Sequence, residues 1–198
     1  MDAMDATDAR VRAAMRAVDR RGFLPRGQRR LAASDQAVLI GHGATCSQPS
    51  TVATMLTMLD PGPGDRCLDV GAGSGWTTAL LAHLVGPDGS VVGVEIEPGL
   101  VASGRANLAA AGFPQARIEP ARPGRLGLAE AAPFDRILVS AEARAVPAEL
   151  LAQLADGGRV VLPVRGYLLA VDAGGEVLGR SGTYSFVRLR QGPRRGVC

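Results

Sequence analysis

The chain has 198 residues, of which 46% are hydrophobic and 21% are charged. It can bury the core of one ordinary domain, and its composition excludes a disordered chain. The formal net charge is +3, and the arginines are scattered without interleaved aromatic residues, so we expect no nucleic-acid partner. The N-terminal sequence MDAMDATDAR lacks the apolar segment of a signal peptide, and no apolar run approaches the ~20 residues of a membrane span. The cysteines, Cys46, Cys67 and Cys198, show no metal-ligand spacing, so we expect a cytoplasmic protein without a metal, and a monomer.

The first 60 residues are predicted to form a helical and loop extension that packs on the rest of the chain. Apolar residues recur at helical spacing over 8–21 and predict an N-terminal helix. Residues 26–49 show no sustained period and predict an ordered loop region with short elements. A second helix follows, with Ser50 or Thr51 as its N-cap, and a Pro-Gly-Pro-Gly sequence ends it.

Strand and helix patterns alternate through the remainder, residues 61–198, which we interpret as the core of a single compact domain. The predicted strands cover 67–70, 90–95, 117–119, 134–140 and 159–163, and the helices between them cover 76–85, 100–111 and 148–154. Two final antiparallel strands, 167–171 and 183–189, are predicted around a Gly-Gly turn. This order predicts a doubly wound α/β fold with a mostly parallel, seven-stranded sheet.

A glycine-rich turn directly after the first strand of this core is the most informative segment. Its sequence, DVGAGSG from Asp69 to Gly75, has GxGxG spacing and not the GxGxxG that cradles a pyrophosphate. Glycines at 71, 73 and 75 let the backbone turn sharply and approach a ligand closely. Asp69 ends the first strand, where it can take an ammonium group, and Glu95 ends the second, where it can accept both hydroxyls of a ribose. This context predicts a nucleoside-type cofactor; the alternative is an ordinary turn with Glu95 as an exposed strand end.

Five segments between about residues 18 and 165 carry a family resemblance. They are VDR with FLP at 18–25, DQAVLIGHG with TCSQP at 35–49, LDVGAGSG at 68–75, PFDRI at 133–137, and the spaced pattern VP, L, QL, GGR and P over 146–163. Together they resemble the protein-L-isoaspartate (D-aspartate) O-methyltransferase family, in which the S-Q-P signature is rather specific.

This resemblance implies a Rossmann-like class I methyltransferase that uses S-adenosylmethionine to methylate the carboxylate of isoaspartyl residues in damaged proteins or peptides. The ester then cyclises to a succinimide, whose hydrolysis restores some normal aspartate. The resemblance places Ser47 at the active site as the candidate catalytic residue, and we expect Thr45 and Ser140 to contact the substrate. The predicted cofactor-binding residues are Asp69, Gly71, Gly73, Ser74, Gly75, Glu95 and Gly124.

One motif departs from the family pattern. The family carries G-D-G after the third strand, with an acid that contacts the adenine amino group, whereas this chain has Arg122-Pro123-Gly124. Loss of a charge-assisted hydrogen bond weakens binding by ~1.5–3 kcal/mol, and Glu119 is the nearby acid that could compensate. Two alternatives therefore stay open: an enzyme specialised for an aspartate in a particular peptide, and a non-catalytic binding protein that keeps the fold.

Three further residues near these motifs have competing interpretations. We expect Cys46 to be a buried neutral thiol and not a nucleophile, because no cation stands beside it in the sequence. His42 fits a packed or solvated loop histidine better than a catalytic base. Trp76 fits contact with the cofactor and packing in the core equally well.

Overall fold

The computed structural model describes residues 3–191, with side chains from residue 5 onward. The arginine pair at 194–195, Cys198 and the end of the predicted core therefore lie outside the described residues. The helices are α1 Ala3–Ala17, α2 Pro49–Leu59, α3 Trp76–Val85, α4 Pro98–Ala111 and α5 Ala148–Leu151. The strands are β1 Val38–Gly41, β2 Ala44–Cys46, β3 Arg66–Val70, β4 Ser90–Glu95, β5 Ala116–Pro120, β6 Phe134–Val139, β7 Leu154–Val164, β8 Tyr167–Asp172 and β9 Val177–Ser181.

A seven-stranded sheet with the order β5-β4-β3-β6-β7-β8-β9 forms the centre of the molecule. The strands from β5 to β7 pair in parallel, and β8 and β9 add an antiparallel edge. Successive residues of β6 enter two different hydrophobic clusters, Leu138 one and Ile137 the other, because alternate side chains leave opposite faces of a sheet. Both faces are therefore covered, which confirms the predicted mostly parallel α/β fold.

The N-terminal part contributes to the same core. Val11 of α1 and Leu56 of α2 belong to one hydrophobic cluster with Leu80 of α3. The predicted division of the chain at residue 60 stays a prediction. Within residues 3–191, no helix is long and apolar enough to cross a membrane.

Two predicted helix starts differ from the structure. The first helix begins earlier than expected and ends at Ala17, and a short 3-10 turn over Arg20–Phe23 follows it. The second helix begins at Pro49, so the N-cap role predicted for Ser50 or Thr51 is wrong. Proline suits the first position of a helix because the amide N–H it lacks would have no helical partner there. The exposed amide of Ser50 instead donates to the Asp35 carboxylate at 2.8 Å.

The last elements also differ from the prediction. The helix predicted over 148–154 ends at Leu151, and Leu154 already begins β7. Within residues 3–191 the last strand is β9, and the strand predicted over 183–189 is wrong. That segment passes beside the loop after β6, where the Glu142 amide donates to the Val187 carbonyl at 2.7 Å and the Leu189 amide donates to the Glu142 carbonyl at 2.8 Å.

The large hydrophobic side chains of this final segment pack against the core, although the segment is not a strand of the sheet. Tyr184 and Phe186 pack against one hydrophobic cluster, and Leu189 packs against the other. The segment therefore lies at the carboxyl ends of the parallel strands, because the loop after β6 begins there.

Candidate active site

A cavity of about 360 Å³ lies at the carboxyl ends of the central parallel strands. In an open α/β sheet this is the edge where ligands bind. Its walls come from the glycine turn, the end of β4, the loops after β5 and β6, the β1–β2 hairpin and residues 187–190. Five of the predicted site residues border it: Thr45, Gly71, Gly73, Glu95 and Ser140.

The glycine turn has a backbone that other residues adopt only with strain. Gly71, Gly73 and Gly75 have φ angles of +83°, +54° and +89°. A Cβ added to Gly75 would lie 3.1 Å from both the Gly104 carbonyl oxygen and Ile118 Cδ1. Gly75 thus serves close packing behind the cavity, and it does not border the cavity itself.

The Glu95 carboxylate lies at the cavity wall and is only 6% exposed. Its Oε1 accepts from the amides of Ile96 and Glu97 at 2.7 and 2.9 Å, and its Oε2 accepts from the Gly73 amide at 2.9 Å. A carboxylate offers about four lone-pair positions, so Oε2 keeps capacity for one more donor. Glu95 is therefore not the exposed strand end of the alternative interpretation.

Asp69 is fully buried and does not border the cavity. Its Oδ2 accepts from the hydroxyls of Thr77 and Thr78, both at 2.7 Å, while Oδ1 is buried without a hydrogen-bond partner among the described residues. Burial raises the pKa of this carboxyl from 3.8 to about 6, the two threonine hydroxyls oppose the rise, and Glu95 adds to it. Asp69 therefore ties the glycine turn to α3, and its contact with an ammonium group stays a prediction.

Two other predicted cofactor contacts, buried Ser74 and exposed Gly124, do not border the cavity. Ser74 is 6% exposed, and its hydroxyl lies beside the thiol of Cys46. Gly124 donates its amide to the Gln191 carbonyl at 2.6 Å and so ties the loop after β5 to the final segment. Pro123, in the position of the missing acid, is exposed. Glu119 forms an ion pair with Arg117 at 2.7 Å and does not border the cavity, so it does not compensate for that acid.

A second cavity of about 210 Å³ adjoins the first. It is lined by Ser47 and by part of the final segment, residues 183–187. Thr45, Ser140 and Val187 border both cavities. The Ser47 hydroxyl makes no hydrogen bond within the described part of the chain, so it is free to donate to a ligand in this second cavity.

Arg20 holds the loop that carries Ser47. Its side chain is buried, and the guanidinium donates to the carbonyls of Ser34, Gln36, Cys46 and Ser47 at 2.9–3.2 Å. The guanidinium also lies 5.3 Å from the ring centre of Trp76. The sequence shows Arg20 only as part of the VDR segment, and nothing in its spacing indicates contacts with residues 34–47.

The structure shows the surroundings of Cys46, Trp76 and His42, the three residues with competing interpretations. The Cys46 thiol is buried and its pKa is raised by desolvation, although Arg20 Nε lies 3.5 Å away and opposes the rise. The expected neutral thiol is thus supported, but the expected absence of a neighbouring cation is wrong. Trp76 is 3% exposed and donates to the Val18 carbonyl at 3.2 Å, so it packs in the core and does not border the cavity. His42 packs beside Gly99 at the start of α4.

Arg190, which the sequence did not indicate, borders the cofactor-sized cavity. Its Nη2 donates to the Glu97 carboxylate at 2.7 Å, whereas Nη1 is buried without a hydrogen-bond partner among the described residues. A buried donor without an acceptor is costly, and a ligand with acceptor nitrogens would satisfy it. The free capacity of Glu95, the close backbone at Gly71 and this donor together fit an adenosine-bearing cofactor.

Gln153 fixes the wall opposite the glycine turn. It is 4% exposed. Its Nε2 donates to the Leu126 carbonyl at 2.9 Å, and its Oε1 accepts from the Leu128 amide at 2.7 Å. Leu126 and Gly127 border the cavity. The QL segment of the resemblance contained Gln153, but without any indication of this contact. Among the described residues, no group of three or more His, Cys, Asp or Glu side chains could hold a metal ion.

A parallel sheet with a glycine turn and a buried strand-end carboxylate beside a cavity is the arrangement of a Rossmann-like protein that binds a nucleoside cofactor. The family model for protein-L-isoaspartate (D-aspartate) O-methyltransferases matches residues 3–172, and the chain belongs to this family. This confirms the resemblance found in the sequence.

Relatives and a solved structure agree with this assignment. A protein-L-isoaspartate O-methyltransferase of Aeropyrum pernix is 46% identical over 158 residues, which are 80% of this chain and 61% of that protein. One from Anaeromyxobacter dehalogenans is 48% identical over 162 residues, 81% of this chain and 76% of that protein. The chain thus spans between three fifths and about three quarters of their length. A Plasmodium falciparum protein named for the same activity, crystallised with S-adenosyl-L-homocysteine, has 26% identity and a TM-score of 0.79, over 92% of this chain and 90% of its own.

Proposed function

We propose that this protein transfers a methyl group from S-adenosylmethionine to the side-chain carboxylate of L-isoaspartyl residues in damaged proteins or peptides. The observation that carries the proposal is the meeting of two cavities at Thr45, Ser140 and Val187, one of cofactor size and one beside the free Ser47 hydroxyl. A methyl donor and a carboxylate acceptor can thus be held next to each other at these three residues.

The proposed cofactor contacts follow from the walls of the larger cavity. Glu95 Oε2 has one position left for a ribose hydroxyl, and the backbone of Gly71 and Gly73 allows close approach. Arg190 Nη1 is the donor available for a ring nitrogen of adenine, in a site where the side chain of Pro123 offers no acceptor for the amino group. We assign buried Asp69, Ser74 and Gly75 to positions that shape these walls from behind, and exposed Gly124 to the link between the loop after β5 and the final segment. When bound, the sulfonium supplies the electrophilic methyl group.

The proposed acceptor side needs orientation more than acid-base chemistry. A carboxylate is ionised at neutral pH, so the chain need not remove a proton from it. Ser47 donates a neutral hydrogen bond that orients the carboxylate, while Thr45 and Ser140 border its path to the methyl group. Holding the reacting atoms in line contributes about 7–11 kcal/mol to such reactions.

The proposal is tested with a synthetic isoaspartyl peptide and its aspartyl twin. We expect calorimetry to detect S-adenosyl-L-homocysteine binding, and radiolabelled methyl transfer to occur with the isoaspartyl peptide alone. Transfer to the aspartyl peptide alone would indicate the specialised enzyme instead. Failure to bind the nucleoside would indicate a non-catalytic binding protein.

We also propose that the protein is a cytoplasmic monomer. Cys46 and Cys67 are buried free thiols, as is usual in a reducing compartment. Sedimentation equilibrium of the full chain, with and without the nucleoside, measures its oligomeric state.

A further inference from the structure

A basic groove of about 760 Å³ opens next to the proposed site. Among the described residues that line it are four arginines, Arg144, Arg165, Arg188 and Arg190, and one carboxylate, that of Glu142. The groove shares residues with the cofactor cavity, including Arg188 and Arg190. It is therefore continuous with the site and is not a separate surface feature.

Most of the positive charge in this groove is unpaired. The Glu142 carboxylate accepts from the Gly166 amide at 2.7 Å, and Glu97 neutralises Arg190. Arg144, Arg165 and Arg188 are exposed, and within residues 3–191 none of these three forms an ion pair with a carboxylate. Three cations thus face solvent around one concave surface, where they favour an anionic ligand.

Arg165 is held in the groove at a conformational cost. Arg165 and Gly166 form the two-residue turn between β7 and β8, and both have positive φ, +49° and +84°. Such turns favour Asn-Gly, and an arginine at the first position is strained. The side chain is fixed, because Arg165 Nε donates to the Arg144 carbonyl at 3.1 Å. Strain retained at one position is typical of residues that serve a site.

We propose that this groove binds acidic residues that flank the methylated residue, so the substrates are acidic peptide segments. The inference rests on the proposed function, because it assigns a substrate class to that site. Val187 borders the second cavity, beside Ser47, and the next residue, Arg188, lines the groove. A peptide that continues from the second cavity past Val187 therefore brings its flanking side chains to the arginines of the groove.

The lining of the groove favours a peptide over a nucleic acid. None of its lining residues is aromatic, so bases find no stacking platform there. The groove also contains Glu142 and the apolar side chains of Val146, Pro147 and Leu189. Such a mixture suits a polypeptide that carries both carboxylates and apolar groups.

The test compares two isoaspartyl peptides of equal length, flanked on both sides by glutamates in one and by glutamines in the other. We expect kcat/KM to be about two- to fivefold higher for each arginine engaged, and this preference to fall with added salt. Equal kcat/KM for the two peptides at low salt would overturn the proposal.

Arg144→Gln and Arg165→Asn localise the effect, with Arg30→Gln on a distant exposed turn as the control. We expect both groove variants to reduce the glutamate-to-glutamine ratio of kcat/KM, while Arg30→Gln leaves it unchanged. Arg165→Asn creates the favoured Asn-Gly turn, so its melting temperature should stay equal or rise while its selectivity falls. An unchanged ratio in both groove variants would refute the assignment.

Fluorescence anisotropy with a labelled, non-isomerised glutamate peptide separates this inference from the proposed function. Arginine-dependent binding of that peptide without methylation of any isoaspartyl peptide would support the groove and refute the proposed function. Methylation of both isoaspartyl peptides without any arginine-dependent binding of the labelled peptide would support the proposed function and refute the groove. Arginine-dependent binding of a single-stranded RNA in place of the acidic peptide would overturn the assignment to peptides.

Discussion

The cofactor end and the acceptor end of this site are built in different ways. At the cofactor end, the glycine turn and Glu95 leave neighbouring parallel strands, and backbone amides hold the carboxylate at 2.7–2.9 Å. The acceptor end combines the loop at 45–47, Ser140 and the final segment at 183–187, which are far apart in the chain. Buried Arg20 joins the first of these segments to the chain before β1, because its guanidinium donates to the carbonyls of Ser34, Gln36, Cys46 and Ser47. The cofactor end is held by regular secondary structure instead.

This difference indicates that the two ends respond differently to substitution. The residues of the cofactor end are stabilised by the sheet, and the proposed contact with the ribose depends on one carboxylate, that of Glu95. The acceptor end depends on side chains that link separate segments, so a single substitution there affects the shape of the loop. Four substitutions, taken from the largest expected effect to the smallest, test this distinction.

Arg20→Met should have the largest effect. Removing the buried guanidinium takes the donor from four carbonyls, of which that of Cys46 is buried, and we expect the free energy of unfolding to fall by about 3–5 kcal/mol. Urea denaturation measures the loss, and Arg21→Met, on the exposed neighbouring residue, is the control. In the folded fraction, isoaspartyl methylation should fall more than nucleoside affinity. An equal loss of both would mean that the two ends are not independent.

Asp69→Asn should change how stability depends on pH. The pKa of Asp69 is raised to about 6 in the folded protein, so the folded chain binds the proton more tightly than the unfolded chain does. Its contribution to stability is present below about pH 4 and is lost as pH rises to about 6, a loss of roughly 3 kcal/mol. Asparagine cannot ionise, so the variant should not lose this stability. The free energy of unfolding of the variant should therefore rise relative to that of the wild type between those pH values. Parallel pH profiles in urea denaturation would contradict the assignment.

The same division explains how far the sequence could predict the structure. The bounds of α3 and β4 agree with the prediction because apolar runs and glycines define them locally. The final segment was predicted as a strand that pairs across a Gly-Gly turn, yet its backbone partner is Glu142, in a loop about 46 residues earlier, and not a strand. Arg20 and Arg190 could not be found, since their roles depend on contacts that only the folded chain creates. Local patterns thus predicted the elements at the cofactor end and the positions of Gly71, Gly73 and Glu95 at its cavity, whereas the acceptor end was predicted only through the family resemblance.

Glu95→Gln tests the cofactor end alone. The amide would present a donor where the carboxylate accepts backbone N–H groups and, in our proposal, a ribose hydroxyl. We expect the affinity for S-adenosyl-L-homocysteine to fall about 10- to 100-fold, since a charge-assisted hydrogen bond contributes about 1.5–3 kcal/mol. Calorimetry measures the affinity, with Glu119→Gln outside the cavity as the control. Unchanged affinity would place the ribose elsewhere.

Ser47→Ala should have the smallest effect and the most selective one. The serine hydroxyl has no hydrogen bond within residues 3–191, so its loss leaves no protein group unpaired and should not change the melting temperature. A neutral hydrogen bond contributes about 0.5–1.5 kcal/mol, and we therefore expect kcat/KM for the isoaspartyl peptide to fall about two- to tenfold. Nucleoside affinity should stay within a factor of about two, because the proposed contacts of the cofactor lie on the other side of Thr45 and Ser140. Ser103→Ala, on the exposed face of α4, controls for the substitution itself. A parallel loss of nucleoside affinity in Ser47→Ala would show that the two cavities form one binding unit, and the distinction between the two ends would fail.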